Sequence, residues 1–346
     1  MPEPNPMLTD TRLDTRIVAF FQKEGDPPWD EEAPSQYEDC LRFVAEIEAS
    51  TASYYAENFD ALPAITDVNR RTELIRGVDG NDIHLFIHEP TNRSELAPAI
   101  VHIHGGGMGL LSATDEPYPR WRDELATRGL IVIGVEFRNS AGKLGDHPFP
   151  AGLNDCASAV QWTHDKRNSM GISSLVVSGE SGGGNLCLAT ALKANLEGWI
   201  DHIDGVYALC PFISGAYQPP AAELASLRAF DGYVLEGSLC QALVRTYDPT
   251  AIHAEVSLAF PYHATSEDIR GLPPHVISVN ELDPLRDEGL SYAHKLQLAD
   301  VCVESRTVKG TLHASESDLI FLIPEIADAT LCDIVSFCEN CRSPQR

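Results

Sequence analysis

Residues 174–186 read Ser-Leu-Val-Val-Ser-Gly-Glu-Ser-Gly-Gly-Gly-Asn-Leu. An apolar run with the character of a buried strand stops at Gly179, and a helical pattern begins near residue 185. Between the two, Ser181 stands among glycines. Gly179-Glu180-Ser181-Gly182-Gly183 fits Gly-x-Ser-x-Gly, a strand-to-helix turn so sharp that its neighbours must lack side chains. In that reading Gly179 and Gly183 let strand and helix approach closely. Ser181 then projects above a sheet at the N-terminus of a helix, where the dipole favours an anion. A glycine-rich packing turn and a phosphate loop are the competing readings. A phosphate loop of the Walker type needs Gly-Lys-Ser/Thr, where this chain has Asn185 and Leu186. The rest of the sequence has to decide.

Outward from this turn the chain alternates. Strand patterns at 82–88, 97–104, 130–137, 175–178, 205–209, 275–279 and 301–308 interleave with helical patterns at 121–128, 151–164, 185–196 and 284–299. Near-continuous apolar strands separated by helices predict an α/β fold with a mostly parallel sheet covered on both faces. Residues 1–80 fit the alternation poorly; they carry a Pro-rich start and an amphipathic segment at 35–50. Residues 214–268, with Pro219-Pro220 and several turn signals, fit it no better. The expected division is therefore a flanking or cap segment over 1–80 and a catalytic domain over 81–346, with 214–268 contributing to the cap.

Three further segments bear on Ser181. His104-Gly105-Gly106-Gly107-Met108 directly follows the 97–104 strand, and consecutive glycines expose backbone N–H groups to a developing oxyanion, each such donor being worth roughly 3–4 kcal/mol. A flexible loop is the plain alternative. Asp283, at the end of the 275–279 strand and followed by Pro284, is placed to orient an imidazole, or simply to cap a helix. Asp287 competes with it but falls inside the following helix. His313 lies in a loop beyond the last strand. His84, His88 and His102 lie on strands, His294 lies mid-helix, and His147 sits in a His-Pro-Phe-Pro turn; His104 reads as a structural part of its loop. His313 alone follows both serine and acid, and Ser…Asp…His is the chain order of α/β-hydrolases.

Composition narrows the field. With 25 basic against 51 acidic residues among 346, the net charge is −26. Such a surface repels nucleic acid and anionic membranes. Nine cysteines include one Cys-x-x-Cys, Cys338 and Cys341; a zinc site needs a second pair, so free thiols in a reducing compartment are expected and no metal or organic cofactor. The N-terminus has no basic, apolar leader pattern and no apolar run approaches a membrane span, so a cytoplasmic location is expected.

On His104–Gly107, Gly179–Asn185, Phe149-Pro150-Ala151 and Asp283–Gly289, the chain resembles the HGGG-type carboxylesterases of the hormone-sensitive-lipase-like branch of α/β-hydrolases. The resemblance is specific from about residue 80 onward and loose before it. It implies an eight-stranded, mostly parallel sheet with a helical cap. It implies Ser181 as nucleophile, His313 as base and Asp283 as orienter, with Gly106, Gly107 and Gly182 as oxyanion donors. His104, Gly105, Gly179, Glu180 and Gly183 take supporting places. Two departures stand out. The family elbow has Asp and Ala on either side of the serine where this chain has Glu180 and Gly182, and the family His-Gly-Phe is here His313-Ala314-Ser315.

The implied activity is hydrolysis of a small-molecule ester or lactone through an acyl-enzyme. Lactone, amide or thioester cleavage at the same site, and a non-catalytic ligand receptor on the same fold, are the rival readings. A homodimer is a family expectation that no pattern in the residues encodes.

Overall fold

The computed structural model describes residues 5–24 and 32–341. Eight strands form one sheet: β1 (Val68–Arg76), β2 (Asp82–Pro90), β3 (Ala97–Ile103), β4 (Ile131–Val135), β5 (Ile172–Glu180), β6 (Gly205–Leu209), β7 (His275–Asn280) and β8 (Val303–Val308). Their spatial order is β1-β2-β4-β3-β5-β6-β7-β8. β2 runs antiparallel to both neighbours, and every pair from β4 to β8 is parallel. All residues of β3, β4, β6 and β7 are buried, as a sheet sandwiched between helices requires.

The main helices are α1 (Thr15–Glu24), α2 (Tyr37–Phe59), α3 (Tyr118–Thr127), α4 (Ala151–Asp165), α5 (Gly182–Glu197), α6 (Gly237–Tyr247), α7 (Arg286–Leu298) and α8 (Pro324–Asn340). All seven expected strands and four expected helices are present. The 35–50 segment extends into the longer α2, while α8 had no counterpart in the sequence reading. β1 begins the sheet inside the stretch expected only to flank it. Its pattern hid it: residues 69–72 are all exposed on an edge strand, so no alternation marks them.

Parallel strands bring their C-terminal ends to one edge, the usual location of ligand sites in such sheets. The segments singled out in the sequence all start there, after β3, β5, β7 and β8. The N-terminal region braces this edge. Met7, Leu13, Ile17 and Phe21 form a buried cluster with Phe230, Tyr233, Leu282, Leu312 and Leu319. Leu282 and Leu312 immediately precede Asp283 and His313, so α1 packs on the two loops that carry them. A backbone bond from Asp14 N to Gly310 O (3.0 Å) reinforces the contact. From α2 the buried Glu48 accepts hydrogen bonds from Leu111 N (2.6 Å) and Lys143 N (2.7 Å). That ties the helix to the segment beyond the triple-glycine loop.

Candidate active site

Ser181 sits between β5 and α5 with φ 55° and ψ −118°, a conformation costly for any residue with a Cβ. The backbone holds it there. Its N–H donates to Leu209 O, and its carbonyl accepts from Asn185 N and Phe212 N, each at 3.0 Å. The flanking glycines are sterically obligatory. A Cβ on Gly183 would lie 2.0 Å from Ile103 O, and one on Gly179 would lie 2.3 Å from the same atom.

Ser181 Oγ is 2.9 Å from His313 Nε2, and His313 Nδ1 is 2.9 Å from Asp283 Oδ2. The other Asp283 oxygen accepts from Leu285 N at 2.8 Å, and the carboxylate is fully buried. Three residues from separate loops thus form one hydrogen-bonded chain. Burial alone would depress the His313 pKa, but the negative charge of Asp283 and its hydrogen bond outweigh it. The imidazole is raised well above its usual value. Cys210 is itself buried and pushed up to about 11, so its thiol stays protonated at neutral pH. Asp287 is occupied elsewhere, accepting from Ser226 N (2.9 Å) and Arg286 Nε (3.0 Å).

The triple-glycine loop lies against the elbow. Gly106 and Gly107 have φ of 93° and 56°, and both line the same cavity as Ser181. A Cβ on Gly182 would lie 2.5 Å from Met108 N and 2.6 Å from Gly107 N. The glycine found where the family carries alanine therefore permits this close seating. Among the described residues, the Gly106, Gly107 and Gly182 amides donate to no protein acceptor. His104 is structural in its contacts: fully buried, stacked on Phe137 at 4.3 Å and bonded through Nδ1 to Gly105 O. Burial pushes its pKa down to about 3.

Glu180, which the sequence left without a task, joins the two motifs. Its Oε1 accepts from Gly105 N at 2.8 Å, and Oε2 lies 3.1 Å from His102 Nε2. The register of β3 against β5 pairs Ile103 with Gly179, which sets the glutamate directly beside the loop. No sequence signal names this partner. The residues that close the cavity from above were also unread. They come from α1 and α2, among them Phe21, Ile47 and Tyr55, and from 234–243.

Cys210, Asp283 and His313 are the one set of three or more His, Cys, Asp or Glu among the described residues whose ligand atoms lie within 4.8 Å of one another. Asp283 and His313 are already bonded to each other in the chain that reaches Ser181. Cys338 and Cys341 are free thiols on and just beyond α8. No described helix is long and apolar enough to cross a membrane.

The profile of the α/β-hydrolase-fold family matches residues 100–317. Among solved structures, the chain is similar to brefeldin A esterase, a bacterial homologue of human hormone-sensitive lipase. They share 40% identity and superpose with a TM-score of 0.92 over 96% of this chain and 95% of that one. Esterase Est22 is 33% identical with a TM-score of 0.87, over 97% and 99% of the two chains. The carboxylesterase NlhH of Mycobacterium tuberculosis is 29% identical over 276 residues, 78% of this chain and 82% of the relative. A serine elbow over a parallel sheet, a triple-glycine loop beside it and relatives that are esterases throughout this length agree. The chain belongs to the α/β-hydrolase family and is a carboxylic ester hydrolase of its hormone-sensitive-lipase-like branch.

Proposed function

We propose that the protein hydrolyses short-to-medium acyl esters or lactones through an acyl-serine intermediate. The observation that carries this reading is the unbroken hydrogen-bonded chain from Ser181 through His313 to Asp283, opening into a mostly apolar cavity. His313 Nε2 takes the Ser181 proton as Oγ attacks the ester carbonyl carbon. The carbonyl π pair moves onto oxygen, facing the Gly106, Gly107 and Gly182 amides. As that pair returns, the C–O bond to the alcohol breaks and His313 delivers its proton to the leaving oxygen. Water then gives a proton to His313 and attacks the acyl-enzyme. Collapse releases the acid, and Ser181 Oγ takes the proton back. The dipole of α5, starting at Gly182, favours the transient negative charge.

A fluorophosphonate probe is expected to form one adduct, at Ser181, seen by peptide mass spectrometry. Failure to label, or labelling elsewhere, contradicts the reading; a ligand receptor would also fail to label. The pH dependence has a definite sign. The base must be neutral, and its pKa is raised, so activity is lost as pH falls through a value above the ordinary 6.5. Labelling rate and kcat/KM for p-nitrophenyl butyrate should therefore still be climbing between pH 6.5 and 7.5, by up to roughly tenfold per unit below the pKa. A profile already flat at pH 6 contradicts the assignment of His313 as base.

Glu180→Ala tests the brace behind the loop. It strands the buried Gly105 N–H and His102 Nε2, which should cost about 1–3 kcal/mol of stability. Because the loop amides act on the transition state, kcat should fall roughly tenfold with a smaller change in KM. Glu180→Gln keeps an acceptor for Gly105 N–H and should sit between wild type and alanine in both thermal unfolding and kcat.

A further inference from the structure

The cavity above Ser181 has a volume of about 280 Å³ and a largely apolar wall, including Ile47, Leu235, Leu239 and Leu243. Two carboxylates also line it, Glu180 and Asp318. Glu180 is committed to Gly105 and His102. Asp318 has no part in acyl transfer. It lies five residues beyond His313, at the end of the short helical turn Ser315–Asp318. Its Oδ2 accepts from the Tyr55 hydroxyl of α2 at 2.7 Å, and its Oδ1 from Ser317 Oγ at 2.8 Å.

A carboxylate offers about four lone-pair sites, and these two hydroxyls fill at most half of them. The strongest influences on Asp318 are burial, the Tyr55 and Ser317 hydroxyls, His313 and Glu180; none of them is an Arg or Lys. Burial raises its pKa to about 6, so the side chain is ionised above that value, the same side of 6.5 on which a raised His313 pKa places the active base. An ionised carboxylate facing an apolar cavity with unfilled acceptor sites is costly unless something donates to it. Water in the cavity can do so. A hydrocarbon substrate displaces that water and returns nothing, whereas a substrate hydroxyl or amine replaces it.

We infer that Asp318 is a specificity residue that accepts a hydrogen bond from a hydroxyl or amine on the substrate, so that the enzyme selects esters carrying such a donor over hydrocarbon esters of equal bulk. The inference rests on the acyl-serine reading and adds the substrate class to it. The shared chemistry is a hydrogen-bond donor within reach of the pocket wall, whichever end of the ester bears it.

The test compares kcat/KM at pH 8 for matched pairs. One set is p-nitrophenyl hexanoate against its 3-hydroxy, 6-hydroxy and 6-amino forms. The other is alkyl butyrates against the monobutyrates of two- to six-carbon diols. Wild type should favour at least one donor-bearing ester over its hydrocarbon partner by roughly tenfold or more. The hydroxy and amino arms separate the two sources of the donor. Asp318→Leu should bring that ratio close to one. Asp318→Asn, which keeps one acceptor oxygen, should lower it partway and serves if the leucine variant does not fold. Because the readout is a ratio within each variant, a general loss of activity cancels.

Tyr55→Phe removes the tie to α2 but leaves the carboxylate, so the ratio should survive it. Absence of any donor preference in wild type overturns the inference. So does a preference that persists in both Asp318 variants, or one lost equally in Tyr55→Phe, which would make the residue a structural tie alone. These failures are distinct from failure of the acyl-serine reading, which would appear as Ser181→Ala hydrolysing the hydrocarbon esters normally.

Discussion

Ser181→Ala should lower kcat for p-nitrophenyl butyrate by roughly 10⁵- to 10⁶-fold without moving the thermal unfolding midpoint. The separation of the two effects follows from how the elbow is held. Its shape depends on backbone bonds to Leu209, Asn185 and Phe212 and on the glycines around it, none of which involves Oγ. Alanine bears the same Cβ as serine, so the φ of 55° strains both residues alike. What alanine removes is the one atom proposed to attack. His313 Nε2 loses its partner at 2.9 Å, but the ring borders the cavity, where water can take the vacated site. The residual rate should reflect positioning and the loop amides, which by themselves give roughly 10³- to 10⁴-fold over water in comparable serine hydrolases. Steady-state assay with calorimetry on the same preparation checks both halves. Retention of even about one part in a thousand of the wild-type rate would remove Ser181 from the role of nucleophile.

The parts of this site that could be read from sequence are those fixed by local sterics. Gly179 and Gly183 announce the elbow because no other residue fits within 2.3 Å of a carbonyl oxygen. Buried parallel strands announce themselves as apolar runs, and chain order singles out Asp283 and His313. Distance does not appear in a sequence. That His313 reaches both Ser181 and Asp283 at 2.9 Å depends on α1 bracing the loops through Leu282 and Leu312, and α1 lies in the stretch where family resemblance was loose. Glu180 was legible as a departure but not as a brace, because its partners come from β3 through sheet register. Asp318 and Tyr55 lie in different parts of the chain, and only the fold makes them neighbours.

The two departures from family pattern also take on physical meaning. Gly182 in place of alanine lets Gly107 and Met108 close onto the elbow, so the loop and the serine turn pack backbone to backbone. Ala314 in place of glycine sits at φ 53°, in the left-handed region that glycine occupies without strain. Its Cβ therefore carries a conformational cost directly beside His313. That cost is held in place by the surrounding bonds, with Ser315 N–H donating to Leu312 O at 3.2 Å and Leu312 N–H to Ser315 Oγ at 3.0 Å. The loop that presents the imidazole is thus closed on itself rather than left free, which suits the proposed role of His313 as a base held between serine and acid.

Asp283→Asn should reduce kcat by roughly 10⁴-fold, a loss that stems from the position of a proton. In wild type, Asp283 Oδ2 accepts from His313 Nδ1–H, which leaves Nε2 free to accept from Ser181 Oγ. The other carboxylate oxygen is held by Leu285 N–H at 2.8 Å. Asparagine satisfies Leu285 with its carbonyl oxygen, so its amide N–H₂ group then faces His313. Two donors cannot face one another, and the imidazole shifts to the tautomer with its proton on Nε2, aimed at the serine it should deprotonate. The substitution also reverses the balance on the imidazole pKa. With the Asp283 charge gone, burial that was outweighed now dominates and lowers the value. The residual activity should therefore lose its dependence on pH above 6.5, so the variant differs from wild type in profile as well as in rate. Asp287→Asn is the control. Its carboxylate serves Ser226 and Arg286, and its loss should alter kcat by no more than a few-fold. If Asp283→Asn kept wild-type kcat while Asp287→Asn lost it, the acid would be Asp287 and the hydrogen-bonded chain to His313 would have no catalytic role.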